Sequence, residues 1–229
     1  MNEPKEPSFI PTPRTTVRRI PARGVYDRET IYAILDEALI CHVGFVDDGQ
    51  PFVIPTIHAR RGDHLILHGS HGSRMLNVLA AGAPACITVT LLDGLVLARS
   101  VFHHSMNYRS VVLLGQATEI TDREAKLDAL HVLVERIVRG RWAEARPPSD
   151  GELDGTMVVS FPLNEMSAKI RTGPPKDEEE DYGLPAWAGV IPMTLQPGPP
   201  IPDPKLSPRI PIPGYATAYS RAHRSADSP

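Results

Sequence analysis

The length, composition and charge of the chain limit what it can be. Its 229 residues, of which 41% are hydrophobic, suffice for one domain with tails or for two small domains. A formal net charge of −3 gives no overall attraction to nucleic acid or to an anionic membrane. No apolar run approaches the roughly 20 residues of a membrane-spanning helix, and residues 1–14 lack the apolar core of a secretion signal. We therefore expect a cytoplasmic protein that binds neither nucleic acid nor membrane.

Proline usage divides the chain into three parts. Of 24 prolines, five lie in residues 1–23 and thirteen in residues 173–229. Proline cannot donate to a sheet and favours extended, polyproline-like backbone. The sequence therefore predicts an extended N-terminal arm at 1–23, a folded domain at 24–172 and a proline-rich C-terminal extension at 173–229.

The first half of the folded domain shows two helical patterns separated by short apolar runs. Asp27 is a suitable N-cap for the first helix. Gly49 supplies the positive φ of a hairpin turn, and Pro55 indicates an edge, a bulge or a ligand-facing position. The predicted elements are a helix at 26–39, strands at 41–46, 52–59 and 64–68, and a helix at 74–81.

The second half continues with hairpin spacing. Asp93-Gly94 predicts a turn between two strands, and Thr121 with Glu124 predicts a capping box that opens a long helix. The predicted strands are 85–92, 95–100, 108–120, 157–163 and 167–171. About seven short strands with two or three helices indicate a mainly β fold with peripheral helices, a small antiparallel barrel, and argue against a doubly wound parallel sheet.

The loop at 68–77 carries residues suited to an anion. Helix amides and the helix dipole at Ser73 favour a phosphate or a carboxylate. Ser70 and Ser73 can donate hydroxyl hydrogen bonds, and Arg74 can bind two phosphate oxygens at once. Taken alone, the loop fits a solvated turn with a serine N-cap equally well.

A second donor-rich segment, 99–111, lies between two apolar β runs. A plain hairpin would use glycine and aspartate there, so we favour a ligand-binding role over an exposed crossover. Six of the nine histidines fall between positions 58 and 104. His64 and His68, however, would lie ~13 Å apart on a strand, too far to share a metal ion. We therefore predict no metal site.

Three segments together resemble a known family. Residues 68–74, the run VLARSVFHHSMNYRSVVLLGQA, and SAKIRTGPP with the later WAGVIP are similar to pyridoxamine 5′-phosphate oxidase-like, FMN-binding split-barrel proteins. The similarity is greatest to the branch of nitroimidazole-resistance-type and flavin-nucleotide-binding proteins. It covers roughly residues 16–193.

The resemblance implies a homodimer of six-stranded antiparallel split barrels, with FMN, or less often FAD, in a cleft at the dimer interface. Met75 stands where pyridoxamine phosphate oxidases place a lysine, which argues against vitamin B6 oxidation. The cofactor-binding residues that it implies are Val53, Pro55, Thr56, His68, Ser70, Ser73, Arg74, Met75, Asn107, Tyr108, Arg109 and Ser110.

The function expected from the resemblance is that of a flavin-dependent oxidoreductase. Electrons would pass between NAD(P)H and a small-molecule acceptor, with His104, or secondarily His68, on the substrate side. The alternative is a non-enzymatic protein that holds flavin or heme for storage or sensing.

Overall fold

The computed structural model describes residues 9–220, so the first eight residues of the predicted arm and the last nine of the extension lie outside the described part. The strands are β1 (Gly24–Val25), β2 (Ile40–Asp47), β3 (Gln50–Ile57), β4 (Ala59–Arg61), β5 (His64–Ser70), β6 (Ala85–Leu97), β7 (Ser105–Gly115), β8 (Thr118–Glu119), β9 (Thr156–Pro162), β10 (Met166–Arg171) and β11 (Gly189–Pro192). The helices are α1 (Arg28–Glu37), α2 (Arg74–Ala80), α3 (Arg123–Ile137), α4 (Arg141–Glu144), α5 (Asp150–Asp154) and α6 (Gly214–Thr217), with 3-10 turns at Pro21–Arg23, Val101–His103 and Glu179–Gly183.

Two antiparallel sheets form the framework. The larger has the order β1-β10-β7-β6-β2-β3, with β11 added to β6, and the smaller has the order β4-β5-β9-β8. The prediction of a mainly β, antiparallel fold with helices is therefore confirmed. The described chain has eleven strands where the predicted barrel has six, and neither described sheet closes on itself.

The main core lies between the two sheets. Val43, Ile87 and Val111 from the large sheet are fully buried in one cluster with Leu67 and Phe161 from the small sheet. Because side chains alternate along a strand, every core residue places its neighbours on the opposite face of its sheet.

Helix α3 covers the far face of the small sheet. Ala129 and Leu133 of this helix form a second buried cluster with Ile66 of β5 and Val158 of β9. None of the helices between residues 9 and 220 is long and apolar enough to cross a membrane.

The first predicted turn is confirmed. Asp48 and Gly49 have φ values of 47° and 73°, and they join β2 to β3. Two positive φ angles are typical of the tightest hairpin turns. Pro55 lies on β3, the last strand of the large sheet, which is the edge position among the predicted alternatives.

The predicted turn at Asp93-Gly94 is wrong. Strand β6 runs through it to Leu97, and the pairing with β7 shifts by one residue between Leu92 and Gly94. The two residues form a bulge. A Cβ on Gly94 would lie 3.1 Å from the carbonyl oxygen of Ile191, so the glycine allows β11 to approach.

The predicted capping box of α3 is also wrong. Asp122 is the N-cap, and its carboxylate accepts from the amide of Ala125 at 2.8 Å. The N-cap lies one residue after the predicted Thr121. The chain is still held in the small sheet at Ile120, whose amide donates to the carbonyl of Val158 at 2.8 Å.

Arg109 joins α1 to the large sheet. Its guanidinium donates to both carboxylate oxygens of Asp93, at 2.9 and 2.7 Å, and to the carboxylate of Glu37 at the end of α1. All three side chains are between 28% and 33% exposed. The hydrogen bonds to Asp93 and Glu37 raise the pKa of Arg109, and this effect outweighs burial, which lowers it.

The cap assignment predicts a difference between two neighbouring alanine variants. Asp122→Ala should lower the free energy of unfolding by about 1 kcal/mol, because the first turn of α3 loses its acceptor. Thr121→Ala should cost less than about 0.5 kcal/mol. Urea denaturation measures both, and an equal cost would show that Asp122 is not the cap.

Replacing Arg109 should destabilise the fold. Arg109→Met leaves Glu37 and Asp93 half-buried without their cation, and we expect a loss of about 1–3 kcal/mol in the free energy of unfolding. Arg61→Met is the control, because the Arg61–Asp128 pair is about half exposed and should contribute less than about 1 kcal/mol. Equal losses in urea denaturation would contradict the assignment.

Candidate functional site

The anion-type loop lies at the start of α2. The Ser73 hydroxyl oxygen accepts from the amide of Leu76 at 3.3 Å, and that of Ser70 accepts from Gly72 at 3.0 Å. Each hydroxyl therefore keeps its proton for donation. The loop thus has two hydroxyl donors to offer an anion.

Arg74 places this loop beside the β2–β3 hairpin. Its guanidinium carbon lies 4.7 Å from the ring centroid of Phe52, and its Nε lies 3.6 Å from a carboxylate oxygen of Asp47. The side chain is 58% exposed, and an ion pair so exposed is weak. Arg74 can therefore turn to an anion. The side chain of Met75, by contrast, is buried in the main core, so only its backbone can face a ligand.

Four predicted residues share the outer face of the large sheet. Val53, which is 69% exposed, and Pro55 lie on it in β3, whereas Thr56 points to the other side. Tyr108 and Ser110 lie on the same face in β7, three strands away. The structure therefore brings part of the predicted set onto one surface.

Asn107 and Arg109, which alternate with Tyr108 and Ser110 along β7, make contacts within the chain. Asn107 is buried, donates to the carbonyl of Gly173 at 3.1 Å and accepts from Arg171. Arg109 is held by its two carboxylates. Neither side chain lies on the outer face with Tyr108 and Ser110.

His68 also lies apart from that face. It is directly opposite Val158, on the side of the small sheet that α3 covers. Its Nδ1 is buried without a partner, and burial lowers the pKa of the imidazole. Across the described residues no group of three or more His, Cys, Asp or Glu side chains could hold a metal ion.

A cleft of about 620 Å³ opens between the arm, the 3-10 turn at Val101–His103 and the end of β10. His104 lines it. The Nδ1 of His104 lies 3.0 Å from the carbonyl oxygen of Ser100. Because that oxygen can only accept, Nδ1 carries a proton.

The cleft and its neighbour are strongly basic. A second cleft, of about 280 Å³, shares Arg19 with the first and includes Ser110. Within residues 9–220, the following cations of the two clefts form no ion pair: Arg18, Arg19, Arg23, Lys169, Arg171 and Lys176. Arg171 is 8% exposed, and burial, followed by repulsion from Arg23, lowers its pKa. This concentration of positive charge suits an anionic ligand.

The arginines of the arm were missed by the sequence-based prediction. Arg14, Arg18, Arg19 and Arg23 fall within ten residues, a density that indicates an anion-binding segment. Because prolines surround these arginines, the sequence predicted that they lie in an arm outside the folded domain. In the structure the 3-10 turn at Pro21–Arg23 contacts β10, and β1, which follows the arm, pairs with that strand.

Comparison with solved structures finds extensive matches. The flavocytochrome Anf3 from Azotobacter vinelandii is 44% identical, with 91% of this chain and 97% of that chain covered and a TM-score of 0.87. An FAD and heme binding protein from Mycobacterium smegmatis is 38% identical, with 84% and 95% covered and a TM-score of 0.81. A candidate 5-nitroimidazole antibiotic resistance protein from Bacteroides thetaiotaomicron is 26% identical, with 64% and 86% covered and a TM-score of 0.55. No curated protein matches the sequence.

The family comparison agrees with the resemblance seen in the sequence. The model described as pyridoxamine 5′-phosphate oxidase matches residues 27–170, which is more than half of the chain. The match spans the loop at the start of α2, most of β10 and all strands between them. The chain therefore belongs to the pyridoxamine 5′-phosphate oxidase family.

Proposed function

We propose that the chain is a cytoplasmic, homodimeric flavoprotein with oxidoreductase activity that also carries a heme. The observation that carries the proposal is that, in a member of this family, anion-binding groups lie beside the β2–β3 hairpin, whose outer face carries exposed apolar side chains. We propose FAD in preference to the FMN expected from the sequence, because the relative from Mycobacterium smegmatis binds FAD and heme. The heme proposal rests on that relative and on the flavocytochrome of Azotobacter vinelandii.

The exposed apolar residues of β3 and the loop at the start of α2 each offer part of what a flavin requires. Val53 and Pro55 offer an exposed apolar surface to a planar ring. Ser70, Ser73 and Arg74 lie beside the β2–β3 hairpin and offer two hydroxyl protons and a weakly paired cation to a phosphate. When bound, a flavin would supply hydride or electron transfer between NAD(P)H and a small acceptor, while the protein fixes its position and shields it from water.

The same face supports the proposed dimer. An antiparallel sheet with one solvated face usually places polar residues there. Here Ile40 and Val46 of β2 and Val53 and Ile57 of β3 all lie on the outer face and are 38–69% exposed. A second copy of the chain would bury this apolar patch, and the flavin would lie at the edge of the contact.

The flavin proposal predicts a loss of affinity in Arg74→Ala. Removing a charge-assisted contact should weaken flavin binding by about 1.5–3 kcal/mol, measured by titrating the flavin-free protein with FAD and with FMN. Arg61→Ala is the control, because Arg61 lies on β4 in the other sheet. Equal affinity in the two variants would show that Arg74 does not hold the phosphate.

The spectrum and turnover of the purified protein test the wider proposal. We expect bound flavin to be visible in the absorption spectrum and NADPH or NADH to bleach it in the absence of oxygen. A protein that takes up neither flavin would contradict the proposal. A protein that binds flavin without reduction by either nucleotide would favour storage or sensing.

The dimer proposal predicts that a charge on the outer face separates the subunits. Val53→Glu would bury an unpaired carboxylate in the contact and weaken the dimer by about 3 kcal/mol, or ~150-fold in the dissociation constant. Light scattering after size-exclusion chromatography measures the mass. Ile201→Glu is the control, because Ile201 is 92% exposed in the extension. A monomeric parent, or a Val53→Glu variant that stays dimeric, would overturn the assignment of this face.

A further inference from the structure

The larger of the two clefts, of about 620 Å³, has a wall without negative charge. Its volume falls within the roughly 300–1,000 Å³ of small-ligand pockets. Arg19, Arg23, Arg171 and Lys176 line it, and no acidic side chain between residues 9 and 220 does so. Arg19, Arg23 and Lys176 also form no ion pair with any described residue, so the protein supplies no counter-charge to them.

Arg171 is the cation of this cleft that the fold removes from water. It is 8% exposed, at the end of β10. It donates to Asn107 and to the carbonyls of Gly173 and Pro174, which are all neutral, and its Nε has no partner. Burial, followed by repulsion from Arg23, lowers the pKa of Arg171. A buried guanidinium without a carboxylate is costly, and a bound anion would remove much of that cost.

The backbone of the arm is strained where it brings two arginines to the cleft. Ile20 has φ 56° and ψ 68°, in the left-handed region, which is unfavourable for a β-branched side chain. It lies between Arg19 and Arg23, and all three residues line the cleft. Strained backbone of this kind is concentrated at ligand-binding sites. A bound anion would explain why the chain holds two like charges together at such a bend.

The positive charge continues into the smaller cleft, of about 280 Å³. This cleft shares Arg19 with the larger one and adds Arg18 and Lys169, which form no ion pair within the described part of the chain. Lys169 and Arg171 are two residues apart on β10 and therefore lie on the same face of the sheet. Two neighbouring clefts with a common arginine fit a ligand that carries more than one anionic group.

The larger cleft also contains an exposed aromatic ring. Phe102 is 86% exposed, and its ring meets that of His103 edge to face, with 5.3 Å between the centroids. Nucleobases stack on exposed aromatic rings of this kind, whatever their sequence, because every base has a π-face. The hydroxyl groups of Ser105 and Thr172 add polar contacts to the wall. An aromatic ring, hydroxyl groups and cations in one cleft match the base, sugar and phosphates of a nucleotide.

The two clefts are separate from the proposed flavin surface. Lys169 and Arg171 lie on β10, whereas Val53 and Pro55 lie on β3, at the other side of the large sheet. Four strand spacings of roughly 4.8 Å put about 19 Å between these strands along the sheet. Arg74, the cation proposed for the flavin phosphate, lies beside the β2–β3 hairpin. A second anion is therefore needed to account for the charge on β10 and on the arm.

We propose that the two clefts bind a nucleotide with at least two phosphoryl groups, of which ADP is the simplest, in addition to the flavin. Arg19, Arg23 and Arg171 would hold the phosphates, and Phe102 would stack on the base. A phosphoryl group fits because it carries up to two negative charges on several oxygens, which guanidinium groups bind in pairs. Two sources carry this chemistry, a free nucleoside polyphosphate and the adenosine end of NADPH, and the second rests on the proposed function.

The binding of ADP to the full-length, flavin-loaded protein tests the site. We expect calorimetric titration to give one ADP per chain, and adenosine, which lacks the phosphates, not to bind. Arg19→Gln/Arg23→Gln should bind ADP at least ~10-fold more weakly. The matched control is Arg61→Gln/Arg123→Gln, which removes the same charge from β4 and α3 and should bind ADP as the parent does. Equal losses in the two double variants would overturn the site.

Further probes identify the ligand. Phe102→Ala should weaken the binding of ADP and leave that of pyrophosphate unchanged, and equal losses for both would overturn the contact with the base. Citrate that binds as tightly as ADP would show a site for anions in general and overturn the nucleotide assignment. Tighter binding of NADPH than of ADP would identify the electron donor as the source, whereas ADP that binds at least as tightly would identify a free nucleotide, and both results support the site.

The remaining outcomes separate this inference from the proposed function. Loss of flavin from Arg19→Gln/Arg23→Gln would show that the clefts hold the adenosine end of FAD, which overturns the inference. A flavin-loaded parent that binds no ADP would overturn the inference and leave the flavin proposal standing. A parent that binds ADP but takes up no flavin would support the site and contradict the proposed function.

Discussion

Burial of one face of each sheet in a shared apolar layer is the constraint on which the rest of the structure depends. Residues such as Val43, Ile87 and Phe161 meet between the sheets, and the two-residue period of a strand then fixes the opposite faces. The small sheet covers its second face with α3. The large sheet leaves its second face open at β2 and β3, with Val53 exposed at the edge strand. The proposed dimer and flavin surface is therefore a direct result of how the core is packed.

The sequence predicted those parts of the fold that local signals determine. Asp27 caps α1 as expected, because its carboxylate accepts from the amide of Thr30 at 2.8 Å. Gly49 makes its hairpin turn, and Ser73 caps α2. Each of these contacts joins residues fewer than four positions apart, so a short stretch of sequence contains all of the chemistry.

The features that the sequence did not predict depend on partners far along the chain. Asp93-Gly94 has the composition of a turn, but β11, almost 100 residues later, holds the strand extended through it. Arg109 looked available to a ligand because nothing nearby in the sequence identifies Glu37 as its partner. Two arm arginines, Arg19 and Arg23, line the cleft because the strand that follows them, β1, pairs with β10.

The pairing of β11 with β6 has a consequence for the solubility of the chain. Strand β2 pairs with β6 only from Ala85 to Thr88, so the far half of β6 would otherwise have one unpaired side. β11 occupies that side from Gly94 to Leu97. An open strand edge is a template on which other chains can add and aggregate. Strand β11 of the proline-rich extension thus covers an exposed backbone edge. The prolines that follow β11 have no amide to donate, so they cannot extend the hydrogen-bond ladder toward a neighbouring chain.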